Sequence, residues 1–136
     1  MVSRNFAEKI AGRKAVGAAG EQEACDFLES RGMQILERNW RGGHTEVDII
    51  ALDAAGLHFV EVKTRVAPLA ASPEENVRSA KMRTLVTAAQ IYLHGKDTSR
   101  RALQDCEVFF DVVSVVLDRE NTSIEFLPNA FIPLYM

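Results

Sequence analysis

Residues 106–117, CEVFFDVVSVVL, are apolar on both of the alternating faces that an extended chain presents. A strand of that kind has no side to give to water, so it must lie inside a sheet with helices packed on both faces. Three further strand-like runs precede it, MQILERNW (33–40), TEVDIIAL (45–52) and LHFVEVKTR (57–65), joined by the turn-forming RGGH and DAAG. Connections this short predict an antiparallel meander. A helix is expected from Gly17 to Arg31, with Gly17, Gly20, Ala24 and Leu28 on one stripe and Gly32 as its stop. A second helix is expected after the loop VAPLAA, with Ser72 as N-cap, Pro73 at the first helical position and Glu75 completing a capping box. It runs to about Leu93, with Lys81 set into an otherwise apolar face and Gly95 ending it. That long connection lets the fourth strand run parallel to the third by a right-handed crossover. SIEFLP adds an edge strand, and NAFIPLYM is a tail apolar enough to dock. The predicted fold is α/β: an αβββαβ core in which helices flank a mixed sheet.

The 136 residues suit one domain, read as a basic arm over 1–14 and a single domain over 15–136. No apolar run approaches the ~20 residues that span a bilayer, and the first residues lack the hydrophobic segment of a secretory signal. The expectation is a cytoplasmic protein with no membrane partner. Cys25 and Cys106 form no CxxC or Cys/His cluster, which excludes zinc ribbons and disulfide scaffolds and leaves both as small core hydrophobes. The net charge of −3 argues at first against a nucleic-acid partner. Its distribution argues otherwise: residues 1–101 hold 15 basic and 13 acidic groups, and residues 102–136 hold one and six. A phosphate-binding face needs local positive charge, and the first part of the chain can supply it.

Strand parity puts Glu46, Asp48, Ile50 and Leu52 on one face of the second strand, and Glu61, Lys63 and Arg65 on one face of the third. With Ala54 and Ala55 as the turn, Asp48 faces Glu61 and Glu46 faces Lys63. Facing carboxylates repel, by about 0.2–1 kcal/mol when exposed, and a divalent cation between them explains why a sequence would keep them. Hard oxygen donors suit Mg²⁺ or Mn²⁺. Lys63 could bind a phosphate oxygen or position a water. Glu21, on the inward stripe of the first helix, adds a carboxylate, and Lys81 adds a cation. The competing reading is a solvated cluster in which Lys63 neutralises Glu46 and Asp48. Trp40 reads as a core residue and not as a stacking platform for a base. His44, His58 and His94 show no ligand spacing, and His58 lies on the strand face opposite Glu61.

GAAGE (17–21), ERNWR (37–41), TEVDII (45–50), FVEVKTR (59–65), Lys81, AAQIYL (88–93), FDVVSV (110–115) and NAF (129–131) together resemble the small bacterial YraN-like family. That group is placed in the PD-(D/E)xK nuclease superfamily. The resemblance implies a restriction-endonuclease-like αβββαβ core. It carries the site pattern to Glu21, Asp48, Glu61 and Lys63, with Asp48, Glu61 and the carbonyl of Val62 as metal ligands. Two positions depart from the family pattern: Thr45 stands where glycine is usual and Phe109 where arginine is usual, the latter removing a cation beside Asp111. The motif layout is also similar to that of the archaeal Holliday-junction resolvases, which act as dimers on branched DNA.

The expected function is a Mg²⁺- or Mn²⁺-dependent endonuclease that hydrolyses phosphodiester bonds in nucleic acid, with DNA, including branched DNA, as its substrate class. Lys63 would orient the attacking water, and Glu21 would hold a further water or ion. Lys9, Arg13, Lys14, Arg41, Arg65 and Lys81 would bind the nucleic acid, and a lone basic face on a small acidic protein makes a homodimer reasonable. The alternative is a non-catalytic nucleic-acid or protein-binding module that keeps the nuclease fold, favoured by the net negative charge and by Phe109.

Overall fold

The computed structural model describes residues 12–67 and 79–130. Lys9, the capping box Ser72-Pro73-Glu75 and the apolar end of the tail (131–136) lie outside the described residues. Helix α1 spans Arg13–Ser30. Arg13 and Lys14, assigned to the arm from sequence, are thus its first turn, and Gly12 enters it from an extended conformation. Gly32, at φ 90°, ends the helix region, and Met33 N–H returns to the carbonyl of Leu28. Only glycine takes that left-handed conformation without strain.

Strands β1 (Gln34–Gly42), β2 (Thr45–Leu52) and β3 (Leu57–Val66) form the expected antiparallel meander. Helix α2 (Ser79–His94) and a 3-10 helix (Thr98–Asp105) then lead to β4 (Val108–Leu117), parallel to β3, and β5 (Ser123–Leu127) closes the order β1-β2-β3-β4-β5. This is the αβββαβ core plus an edge strand. The polar stretch after Gly95 hides the 3-10 helix, although Asp97 caps it by accepting the Ser99 N–H.

β4 is an interior strand, flanked by β3 and β5, as its two apolar faces require. Phe110 and Val112 pack with Leu57, Phe59, Leu85, Ala88 and Tyr92 beneath α2. Val113, Val115 and Leu117 pack with Ala24, Cys25, Leu28 and Val60 beneath α1. Cys25 is buried with no disulfide, and burial pushes its thiol up from the ordinary value. Trp40 joins the α2 side, edge-on to Tyr92 at 5.2 Å. Among the described residues no helix is long and apolar enough to cross a membrane.

The small residues of GAAGE have a packing purpose. A Cβ on Gly20 would lie 1.8 Å from Thr64 Oγ1 and 2.6 Å from its Cβ, so glycine is what lets α1 settle on β3. Thr64 is β-branched and cannot swing clear. Gly20→Ala is therefore expected to destabilise the fold by about 1–3 kcal/mol, the usual cost of overpacking. Urea unfolding measures it; an unchanged midpoint would mean that α1 does not sit this close to β3.

Candidate active site

The β2–β3 hairpin has the register that the sequence implied. Leu52 pairs with Leu57, Ala51 with His58, Ile50 with Phe59 and Ile49 with Val60. Asp53 N–H donates to the Gly56 carbonyl at 3.0 Å across the turn. Antiparallel hydrogen-bonded pairs recur every second residue, so a regular ladder would next send the Val62 N–H to the carbonyl of Val47. The structure does otherwise. Asp48 Oδ2 accepts the Val62 N–H at 2.8 Å, so a carboxylate replaces the backbone acceptor next to the last ladder pair. The Asp48 carboxyl is thereby fixed against the β3 backbone between Glu61 and Lys63.

Glu61 is 6% exposed, and Lys63 Nζ lies 3.6 Å from Glu61 Oε2. The expected pairing of Glu46 with Lys63 is replaced: Glu46 instead meets Arg41 at 3.4 Å, its cross-strand neighbour on β1. The expected common face for Glu46, Asp48, Ile50 and Leu52 is also broken. Val47 and Ile50 both pack beneath α2, whereas Ile49 and Ala51 pack beneath α1. Alternation therefore fails between Val47 and Ile49, at Asp48. Period-two reasoning assumes an unbroken pleat and cannot show this.

Glu21 stands elsewhere. It is half-buried on α1 and lines a cleft of about 380 Å³ with Lys14, Gly17, Ala18, Arg38, Asn39, Arg41 and Glu46. Lys14 and Arg41, two of the expected nucleic-acid residues, thus share one cleft. Arg65 lies on β3 beyond Lys63. The backbones of Arg13 and Lys81 fall in the first turns of α1 and α2, and their side chains lie outside the description.

Among the described residues, no three of His, Cys, Asp or Glu gather closely enough to hold one ion. The structure therefore does not bring Glu21 into a common ligand set with Asp48 and Glu61. Two carboxylates still fit one hard cation of the Mg²⁺ type, which takes one or two protein carboxylates and fills its remaining positions from solvent and substrate. The donor chemistry fits; zinc, which favours nitrogen and sulfur, would not be expected here.

A second charged cluster was not legible as a site. His58 is buried, with Nδ1 2.6 Å from Asp111 Oδ2 and Nε2 2.9 Å from Asp53 Oδ1. Asp111 Oδ1 also accepts the Asn129 N–H at 2.8 Å. An ionised carboxylate only accepts, so a carboxylate facing each ring nitrogen favours the doubly protonated imidazolium. Burial opposes that charge, but the hydrogen bonds to Asp111 and Asp53 and the negative charge of both outweigh it and raise the His58 pKa. Burial likewise works against ionised Asp53, and the bonds from His58, Gly56 and Ala55 prevail and lower its pKa. The cation expected to be missing beside Asp111 is supplied by His58, and Phe109 stacks on that ring at 4.8 Å. The signal in the sequence was an aspartate inside an apolar strand, which demands a partner.

A profile of the uncharacterised protein family UPF0102 matches residues 20–115. A UPF0102 protein of Oleidesulfovibrio alaskensis is 42% identical over 118 residues, covering 87% of this chain. The chain spans only 56% of that relative's length. UPF0102 proteins of Trichlorobacter lovleyi and Bacteroides thetaiotaomicron are 41% and 39% identical, over 88% and 91% of this chain and 92% and 98% of their own. Among solved structures, Pyrococcus furiosus SfsA in complex with Ca²⁺ is similar at a TM-score of 0.32 and 16% identity, over 85% of this chain and 61% of that one.

Proposed function

The chain belongs to the uncharacterised protein family UPF0102, and from the site at the β2–β3 divide we propose that it is a Mg²⁺- or Mn²⁺-dependent nuclease acting on DNA. The observation that carries this reading is the Asp48 carboxylate held on the Val62 N–H, beside a buried Glu61 whose neighbour is Lys63. Asp48, Glu61 and the Val62 carbonyl are the groups that would hold the cation. Such an ion polarises a phosphate and lowers the pKa of a water.

The chain's own groups do the rest. The hydrogen bond to Val62 fixes Asp48, so its orientation does not depend on a mobile side chain. Lys63, 28% exposed, is tethered near Glu61 yet reachable, and its ammonium orients a water or a phosphate oxygen. Lys14, Arg38 and Arg41 bring positive charge to the neighbouring cleft, where a phosphate backbone would pass.

A second reading, a binding module that has kept the fold, draws on two observations: Arg41 is already paired with Glu46, and two carboxylates share the cleft with its cations. Divalent-metal titration separates the two. Asparagine at position 48 keeps an oxygen that can accept the Val62 N–H, so Asp48→Asn should hold its stability in metal-free buffer within about 1 kcal/mol. It should lose the rise in melting temperature that Mn²⁺ gives the unaltered chain. An equal Mn²⁺ shift in both proteins would remove Asp48 from the site.

A further inference from the structure

Asn39 is one of two described non-glycine residues with positive φ, at 52°, and it lies inside a strand. A left-handed residue is strained there, which glycine would avoid, and asparagine tolerates it better than most. Its position in the ladder is informative. Arg38 pairs with Ile49 and Trp40 pairs with Val47, so Asn39 and Asp48 occupy the same step of two neighbouring strands. On one side of that step the chain faces α1: Ile49 packs in its core, and Arg38 Nη1 donates to Gln22 Oε1 on α1 at 3.1 Å. On the other side it faces α2: Trp40 and Val47 both pack in that core. Both strands exchange faces together at Asn39 and Asp48, with the register unchanged. At that step Asn39 lines the cleft beside α1 with Lys14 and Glu21, and the Asp48 carboxylate lies against β3, on the Val62 N–H.

We infer that Asn39 is the positioning residue of the site: its left-handed backbone reverses the β1–β2 pleat and so turns Asp48 out of the sheet face and onto the Val62 amide. This placement stands whether or not the chain is a nuclease; only its catalytic consequence rests on that reading. The choice of asparagine fits the geometry. A β-branched residue at positive φ is a genuine outlier, whereas glycine adopts that φ freely.

Amide hydrogen exchange in metal-free buffer tests the inference without reference to activity. The Val62 N–H depends on Asp48, whereas the Val60 N–H belongs to the regular ladder with Ile49 and serves as an internal reference. Asn39→Val is expected to raise Val62 exchange at least tenfold relative to Val60, and Asn39→Gly to leave that ratio within twofold of the unaltered chain. In Asp48→Ala, where the acceptor is already gone, adding Asn39→Val should change the ratio no further. Should Asn39→Val not fold, Asn39→Ala carries the same expectation in milder form. An unchanged Val62 ratio in the substituted chains, or a loss in Asn39→Gly equal to that in Asn39→Val, would overturn the positioning role. Cleavage assays on the same variants report separately on the nuclease reading: a lost Val62 bond in a chain inactive from the outset supports the inference and removes that reading.

Discussion

Lys63→Ala is expected to leave nucleic-acid affinity within a few-fold while lowering single-turnover hydrolysis by about 10²-fold or more, the scale of a lost positioned proton-transfer or charge-stabilising group. Lys63 is on β3, two residues beyond Glu61, with its ammonium 3.6 Å from the Glu61 carboxylate. That tether holds one position of a flexible side chain without burying it. If Lys63 only gripped phosphate, affinity would fall and the rate per bound complex would persist. If it only neutralised Glu61, the loss would appear as stability. Binding measured in Ca²⁺ and cleavage measured in Mg²⁺ give the two quantities separately, and a fall in affinity with an unchanged rate would assign Lys63 to binding alone.

The largest effect on stability is expected at His58. Removing the ring by His58→Leu leaves Asp111, fully buried, without its counter-charge, and breaking a buried pair in this way costs about 3–5 kcal/mol. The same ion cluster sets a pH dependence. The His58 pKa is raised in the fold, so its contribution is fully present below its ordinary value near 6.5 and is lost as pH rises through the higher folded value. Asp53, with its pKa lowered, contributes above its ordinary value near 3.8, and that part is lost as pH falls through the folded value. Urea unfolding of the unaltered chain and of His58→Leu should therefore show the widest gap between pH 5 and pH 6, narrowing in alkaline buffer. A gap independent of pH would mean that folding leaves the His58 pKa where it is, and a gap that shrinks toward acid would mean that the ring is neutral in the fold.

The architecture was legible because each element carries its own physical signal. A strand apolar on both faces must lie inside the sheet, and β4 lies between β3 and β5. Two tight turns impose a meander, and Asp53 closes the second of them by accepting the N–H groups of Ala55 and Gly56. The hairpin register followed from that turn alone, which placed Asp48 and Glu61 at adjacent positions beyond the last ladder pair. What escaped were features that depend on departures from regular geometry. Period-two parity could not register the pleat reversal at Asn39, so it put Glu46, Asp48, Ile50 and Leu52 on one face, and it could not show that Glu46 meets Arg41 on β1. Helical periodicity placed Glu21 on an inward stripe but not in the cleft with Glu46, because that depends on where α1 crosses the sheet. The imidazolium of His58 was out of reach for a similar reason: its partners come from a turn and a strand 53 residues away.

On the proposed function, Asp48 and Glu61 make a metal-dependent phosphodiesterase of this fold. It is tested most directly by incubating the unaltered chain, Asp48→Asn and Glu61→Gln with duplex, single-stranded, flapped and four-way DNA and with RNA, in Mg²⁺ and in Mn²⁺. The unaltered chain is expected to cleave at least one DNA, with cleavage abolished by EDTA and lost in both variants. No cleavage of any substrate by the unaltered chain, or cleavage that persists in both variants, would contradict it.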